Sequence, residues 1–200
     1  QILNAPRHPY TRSLIAAVPS LTPRVPKPVE TESVVLDVQH LNKTFRSGGG
    51  LLGGISARAV HAVKDVHLSI RRSETLGIVG ESGSGKSTVA RCIVRLIEPD
   101  DGSVHLGDID LLAKTRRQLR PYRRRVQMVF QDPFASLNPR RKVADLISEG
   151  PMVHGLPKNE ALDRAYKLLD LVGLDPRAGE RYPHEFSGGQ RQRIGIARAL

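Results

Sequence analysis

The 200-residue chain has a single cysteine, Cys92, and no tryptophan. One thiol cannot build an internal disulfide framework, and this usage suits a reducing compartment. Cys92 falls in a helical stretch and reads as a small buried hydrophobe rather than a nucleophile. Aromatic residues make up 4% of the chain, too few to interleave with basic residues as a base-stacking surface requires. No apolar run approaches the roughly 20 residues of a membrane span. The run Leu14-Ile15-Ala16-Ala17-Val18 is far too short. Neither a signal-peptide pattern nor an internal repeat is seen. The chain starts at Gln1 rather than Met and stops at Leu200 inside an apparent helix, so it reads as a piece of a longer protein.

Hydrophobic residues, at 39%, are numerous enough for a folded core. The formal charge is +11, part of it from Arg116, Arg117, Arg120, Arg123, Arg124 and Arg125. Such a cluster reads either as a nucleic-acid site or as a solvated face near an anionic membrane or acidic partner. The scarcity of aromatics favours the second reading, and no nucleic-acid partner is expected.

Two strings carry the chemistry. Gly80-Glu81-Ser82-Gly83-Ser84-Gly85-Lys86-Ser87-Thr88 fits G-x-x-x-x-G-K-[ST], a phosphate-cradling loop. Residue frequencies would produce that pattern in about one per cent of chains this long. Glycine lets the backbone curl until successive N–H groups point inward. Lys86 then supplies a cation for the β- and γ-phosphates, and Ser87 a hydroxyl for Mg²⁺ beside Thr88. A dinucleotide-binding loop is excluded, because the third glycine of that pattern is missing. The second string is Phe186-Ser187-Gly188-Gly189-Gln190. It places a hydroxyl and backbone N–H groups of Ser187 and Gly189 at a helix start, suited either to an anion or to simple N-capping. A whole helical block separates the two strings, so they need not serve the same nucleotide. Gln131 follows a candidate strand end, where its amide can reach a metal or an attacking water. His184 and Glu185, just before the second string, read as packing or surface residues rather than an acid/base pair.

The context predicts a strand over 75–79 and a helix from Ser87 through Ile97, with Val89, Ile93, Leu96 and Ile97 on one stripe and Arg91 and Arg95 away from it. Six of the 14 prolines fall within residues 1–28, so residues 19–33 read as an extended linker after a short helix over Thr11 to Val18. Strands are expected at 34–38, 60–70, 103–106 and 126–130, with a flexible hairpin connection over 46–56 and a turn at Gly107-Asp108. Helices are expected at 111–120, 143–148, 160–172 and from Gly188 onward, with Gly173 a natural stop. The coarse picture is a mixed sheet followed by a helical block.

These motifs together resemble the ATP-binding subunits of ABC transporters from about Ser33 to Leu200, and look most like the dipeptide, oligopeptide and glutathione importer branch. By that resemblance Gly80 to Thr88 is the Walker A loop, Gln131 the Q-loop glutamine, and Phe186 to Gln190 the signature, followed by Arg191-Gln192-Arg193. Phe45 sits where the family often stacks an aromatic on adenine. The resemblance implies an α/β P-loop NTPase of ABC type. It would have a mixed sheet core, an antiparallel β subdomain and a helical subdomain over 132–186. It implies ATP and Mg²⁺, with Ser87 and Gln131 at the metal, and Lys86, Gln131, Ser187 and Gly189 in catalysis. It further implies permease subunits, a periplasmic or extracellular solute-binding protein, and a second ATP-binding domain, fused or dimeric. The place would be the cytoplasmic face of the cell (inner) membrane, peripherally.

The stretch His8-Pro9-Tyr10-Thr11-Arg12 with Ala16-Ala17-Val18-Pro19 resembles a segment found after the catalytic domain in this branch. Residues 1–32 are therefore expected to be the tail of a preceding ATP-binding domain plus a linker, and 33–200 an incomplete second domain. The family's Walker B strand, catalytic Glu and switch His are expected past Leu200, so the 200 residues alone should hydrolyse ATP barely above background. Two other readings stay open: a soluble ABC-type ATPase acting on ribosomes or DNA, and a nucleotide-binding interaction module without activity.

Overall fold

The computed structural model describes residues 6–16, 18, 33–47, 58–132 and 136–200. A short helix α1, Pro9–Ala16, has no buried residue. The expected linker and the tip of the hairpin connection, 48–56, lie outside the described residues, apart from Ser33.

Strands β1 (Val34–Ser47) and β2 (Arg58–Arg71) pair antiparallel, with Val38 opposite Leu68 and Phe45 opposite Val60. On the other side of β1 lies β3, Asp101–Leu106, also antiparallel, followed by the two-residue β4, Ile109–Asp110. The sheet order is β2-β1-β3-β4. Alternation gives this sheet one buried face. Val38, Leu41, Val63, Val104 and Leu106 pack there against Val89, Cys92 and Ile93 of helix α2, Lys86–Ile93. Cys92 is fully buried, and that burial pushes its thiol up from the ordinary range.

A second core lies among helices. Short α3, Arg116–Leu119, leads through a 3₁₀ turn toward α4 (Val143–Val153), α5 (Lys158–Leu171) and α6 (Gly188–Ala199). In α5 the four-residue spacing of Ala161, Ala165 and Leu169 puts all three on the buried face. Gly173, at φ 72, ends the helix in the left-handed conformation. Val143, Ile147, Phe186, Ile194 and Ala197 complete this core. Lys142 and Glu180, 2.8 Å apart, close its rim, and the same carboxylate accepts the Tyr166 hydroxyl at 2.5 Å.

Five local expectations are corrected. Residues 75–79 and 126–130 form no strand, and every ladder among the described residues is antiparallel. Val79 is 96% exposed, and Ile78 and Val129 are exposed as well. A strand exists only when a neighbour satisfies its backbone N–H and C=O groups, and no strand among the described residues flanks these two segments. Helix α2 stops at Ile93 rather than Ile97. There Arg95 turns left-handed (φ 49), its N–H bonds Cys92 O, and Leu96 N–H bonds Arg91 O, which is a Schellman closure. The Arg95 side chain, expected away from the apolar stripe, is nevertheless buried, its guanidinium donating to Leu111 O and Lys114 O. The helix expected over 111–120 begins only at Arg116. The Asp110 carboxylate holds Leu112 N–H and Ala113 N–H in a turn, and Thr115 then caps the helix with a reciprocal bond to Gln118.

Candidate functional site

The loop from Gly80 to Gly85 feeds directly into α2. Gly83 (φ 84) and Gly85 (φ 94) both take the left-handed conformation that glycine alone adopts cheaply. Gly85 is the N-cap and offers no side-chain acceptor, and no acidic residue lies in the first turn. The helix therefore begins with N–H donors and its positive dipole end available to an anion. The Lys86 ammonium folds back over the loop. It donates to Gly80 O at 2.8 Å, Glu81 O at 2.6 Å and Ser84 Oγ at 3.3 Å. Ser84 N–H bonds Glu81 O at 3.2 Å and tightens the same turn. Ser82 and Ser87 are exposed, and Thr88 is half-buried.

A cleft of about 760 Å³ opens beside this loop. Lys86 and Ser87 line one wall; Leu76 and Ile78 line another; Met128 to Asp132, with Gln131 exposed, line a third. The two segments that fail to become strands are therefore the walls of the cleft. Gln131, chosen from sequence for its strand-end position, shares this space with Lys86 and Ser87, 45 and 44 positions earlier. Ala90 and Arg91 also line it, and sequence reasoning assigned neither to a site. Their signal was available, since positions three and four beyond Ser87 share its helix face. A separate cavity of about 360 Å³, beside α4, α5 and the end of α6, shares none of these residues.

Ser187 and Gly189 are elsewhere. Neither lines the cleft, and both are exposed at the start of α6. Ser187 Oγ accepts from Gln190 N–H at 3.3 Å, and Gln190 Oε1 accepts from Ser187 N–H at 3.0 Å, a reciprocal capping box. Phe45 stands apart as well, on β1 and 41% exposed, with the Lys43 ammonium 5.8 Å from its ring centre. His184 stacks on Tyr182 at 5.8 Å between ring centres. Glu185 accepts Tyr182 N–H at 2.6 Å, and that bond holds its carboxyl below the usual range. Both residues serve the local turn in the structure.

Known proteins resemble this chain in sequence and in fold. A family model described as ABC transporter matches residues 63–200. The chain is 45% identical over 225 aligned residues to the glutathione import ATP-binding protein GsiA of Escherichia coli O157:H7, covering 100% of this chain and 36% of that protein. To the GsiA of Escherichia coli strain K12 it is 44% identical with the same coverage. The chain thus spans about a third of the length of the curated relatives it matches. Among solved structures, it resembles a dimeric post-hydrolysis state of an ATP-binding cassette bound to ADP and phosphate, with TM-score 0.71 and 30% identity over 82% of this chain and 68% of that one. It also resembles cbiO1 from Clostridium perfringens, part of the ABC transporter complex cbiONQ, with TM-score 0.65 and 27% identity over 84% of this chain and 62% of that one.

Proposed function

The chain belongs to the ABC transporter family, and from that membership we propose that it is the ATP-binding part of an importer ATPase that energises uptake of peptides or glutathione-like solutes. One observation carries the proposal: the Lys86 ammonium is cradled in a turn with two left-handed glycines, at the edge of the cleft that Gln131 also lines.

The residues fit a magnesium nucleotide. The three partners of the Lys86 ammonium are all oxygens, which polyphosphate oxygens replace without loss of hydrogen bonds. A Cβ at Gly83 would meet nothing within 4 Å, so space lies open beside the loop. Residues 83 to 88 then hold the β- and γ-phosphates by backbone N–H groups and Lys86. The Ser87 hydroxyl and Gln131 amide oxygen are hard donors for Mg²⁺, which neutralises phosphate charge when bound. Glu81 and Ser82 shape the loop, and Phe45 offers a ring to adenine. Ser187 and Gly189, exposed at the start of α6, present their donors outward to the nucleotide of a second ATP-binding domain. That exposure, together with the dimeric state of the similar cassette, supports head-to-tail pairing.

The solute class rests on the names of the GsiA relatives. Permease subunits and a periplasmic or extracellular solute-binding protein are the partners, with the chain peripheral on the cytoplasmic face. No helix among the described residues is long and apolar enough to cross a membrane. Residues 1–32 then belong to the tail of a preceding ATP-binding domain and its linker.

The test titrates a fluorescent ATP analogue with Mg²⁺ into the chain and its Lys86→Ala variant, both shown folded by circular dichroism. Hydrogen bonds to charged groups contribute about 1.5–3 kcal/mol, so affinity should fall roughly 10- to 100-fold. Equal affinity for the two proteins overturns the proposal.

A further inference from the structure

Two histidines and an aspartate converge on the sheet, and none of them lines the nucleotide cleft. His67 Nε2 lies 3.0 Å from Asp65 Oδ1 on the same strand, β2. His40 Nδ1, reaching over from β1, lies 2.9 Å from that same oxygen. The two imidazole rings stand edge to face, with centres 4.3 Å apart. One ligand atom from each of the three residues falls within 4.8 Å of the others.

The backbone is bent to achieve this. His40 (φ 51) and Asp65 (φ 48) are both left-handed, although neither is glycine. Side chains other than that of glycine crowd the backbone in that conformation, least so for a short polar one such as Asp. The ladder slips between Val38 and Leu41 and again between Leu41 and Lys43, at this point of the strand pair. Asn42 pins both bends at once. Its Nδ2 donates to His40 O at 2.7 Å, and its Oδ1 accepts from Asp65 N–H at 2.9 Å. A regular hairpin would have left the three side chains with no common point; the paired bends bring them together.

We propose that His40, Asp65 and His67 form a binding site for a first-row transition-metal cation of the Zn²⁺ type. Two imidazole nitrogens and a carboxylate oxygen select Zn²⁺, Co²⁺, Ni²⁺ or Cu²⁺, whereas Mg²⁺ and Ca²⁺ take oxygen sets. Metal–ligand distances of about 2.0–2.2 Å to His and Asp require ligand atoms roughly 3–3.5 Å apart. The observed 2.9 and 3.0 Å contacts are already near that separation, and rotation of exposed imidazoles supplies the rest. Side-chain exposures of 69%, 61% and 46% for His40, Asp65 and His67 leave the remaining coordination position open to water. Asn42 holds the backbone of two of the ligands in place, as supporting groups around metal sites do.

The experiment titrates Zn²⁺ into the 200-residue chain by calorimetry, and follows Co²⁺ by its visible absorption. His67→Gln keeps the size of the side chain and removes the ligand. Asp65→Asn keeps a residue that tolerates the left-handed conformation and removes the charge. His105→Gln removes a histidine outside the cluster. Circular dichroism confirms that each variant is folded. One equivalent should bind the parent chain, with about tenfold or greater weakening in His67→Gln and in Asp65→Asn and no change in His105→Gln. Absence of one-equivalent Zn²⁺ binding, or binding unaltered by His67→Gln and Asp65→Asn, overturns the assignment.

Discussion

A methyl group on Gly85 would sit 2.1 Å from the carbonyl oxygen of Ala62, so the glycine-rich loop before α2 and strand β2 touch with no room for a side chain between them. That contact ties the start of α2 to the sheet and fixes where its N–H groups point. Gly83, two residues earlier, faces open space, and a methyl group there would meet nothing within 4 Å.

The two glycines should therefore differ under the same substitution. Gly83→Ala pays only for its left-handed φ of 84, about 1–2 kcal/mol. Gly85→Ala carries the same strain and the overlap with Ala62 O, which adds about 1–3 kcal/mol. Urea unfolding should rank Gly85→Ala as the less stable. Equal midpoints for the two variants would show that the contact with Ala62 is unimportant.

Ser187→Ala separates capping from ligand binding. Its hydroxyl accepts Gln190 N–H in the chain by itself, so the variant should lose about 1 kcal/mol of stability. Because Ser187 is outside the cleft, affinity of the isolated chain for an ATP analogue should not change. A loss of affinity at unchanged stability would contradict this placement.

Arg95→Lys should destabilise although it keeps the charge. The guanidinium donates at once to Leu111 O, Lys114 O and the Glu98 carboxylate, a fork that an ammonium cannot copy. Leaving one of these partly buried carbonyls unsatisfied costs about 1–3 kcal/mol. A thermal melt of Arg95→Lys matching the parent would refute the fork.

Acid should unfold the chain partly through Asp100. The Lys43 ammonium, at 2.7 Å, and then Thr44 N–H, also at 2.7 Å, hold its carboxyl below the ordinary aspartate range. A lowered folded-state pKa gives stability that is full above the unfolded value, about 3.9. That stability is lost as pH falls through the lower folded value. Asp100→Asn should flatten the stability profile below about pH 4 and leave its shape at neutral pH unchanged. A variant with the parent's acid limb would rule out this pair as a contributor.

Much of the architecture was legible because local chemistry and tertiary context agree. The alternation in 60–70 and 103–106 became β2 and β3, and the stripe of Ala161, Ala165 and Leu169 became the buried face of α5. The spacing around Lys86 predicted a glycine-cornered turn into a helix, and Gly83, Gly85 and α2 form one. The cluster of His40, Asp65 and His67 was not legible. His40 and Asp65 are 25 positions apart across a strand pair, and only an irregular register brings them together.

Sequence alone determined the glycine turn into α2, the helical block and the hairpin, because each depends on residues close along the chain. Tertiary structure alone decided that 75–79 and 126–130 become cleft walls, that Arg95 turns inward, and that Gly85 meets Ala62. The reason is that strand pairing, burial of a charged group and close backbone approach all depend on which distant partner stands alongside, and nearest-neighbour pattern carries no record of that partner.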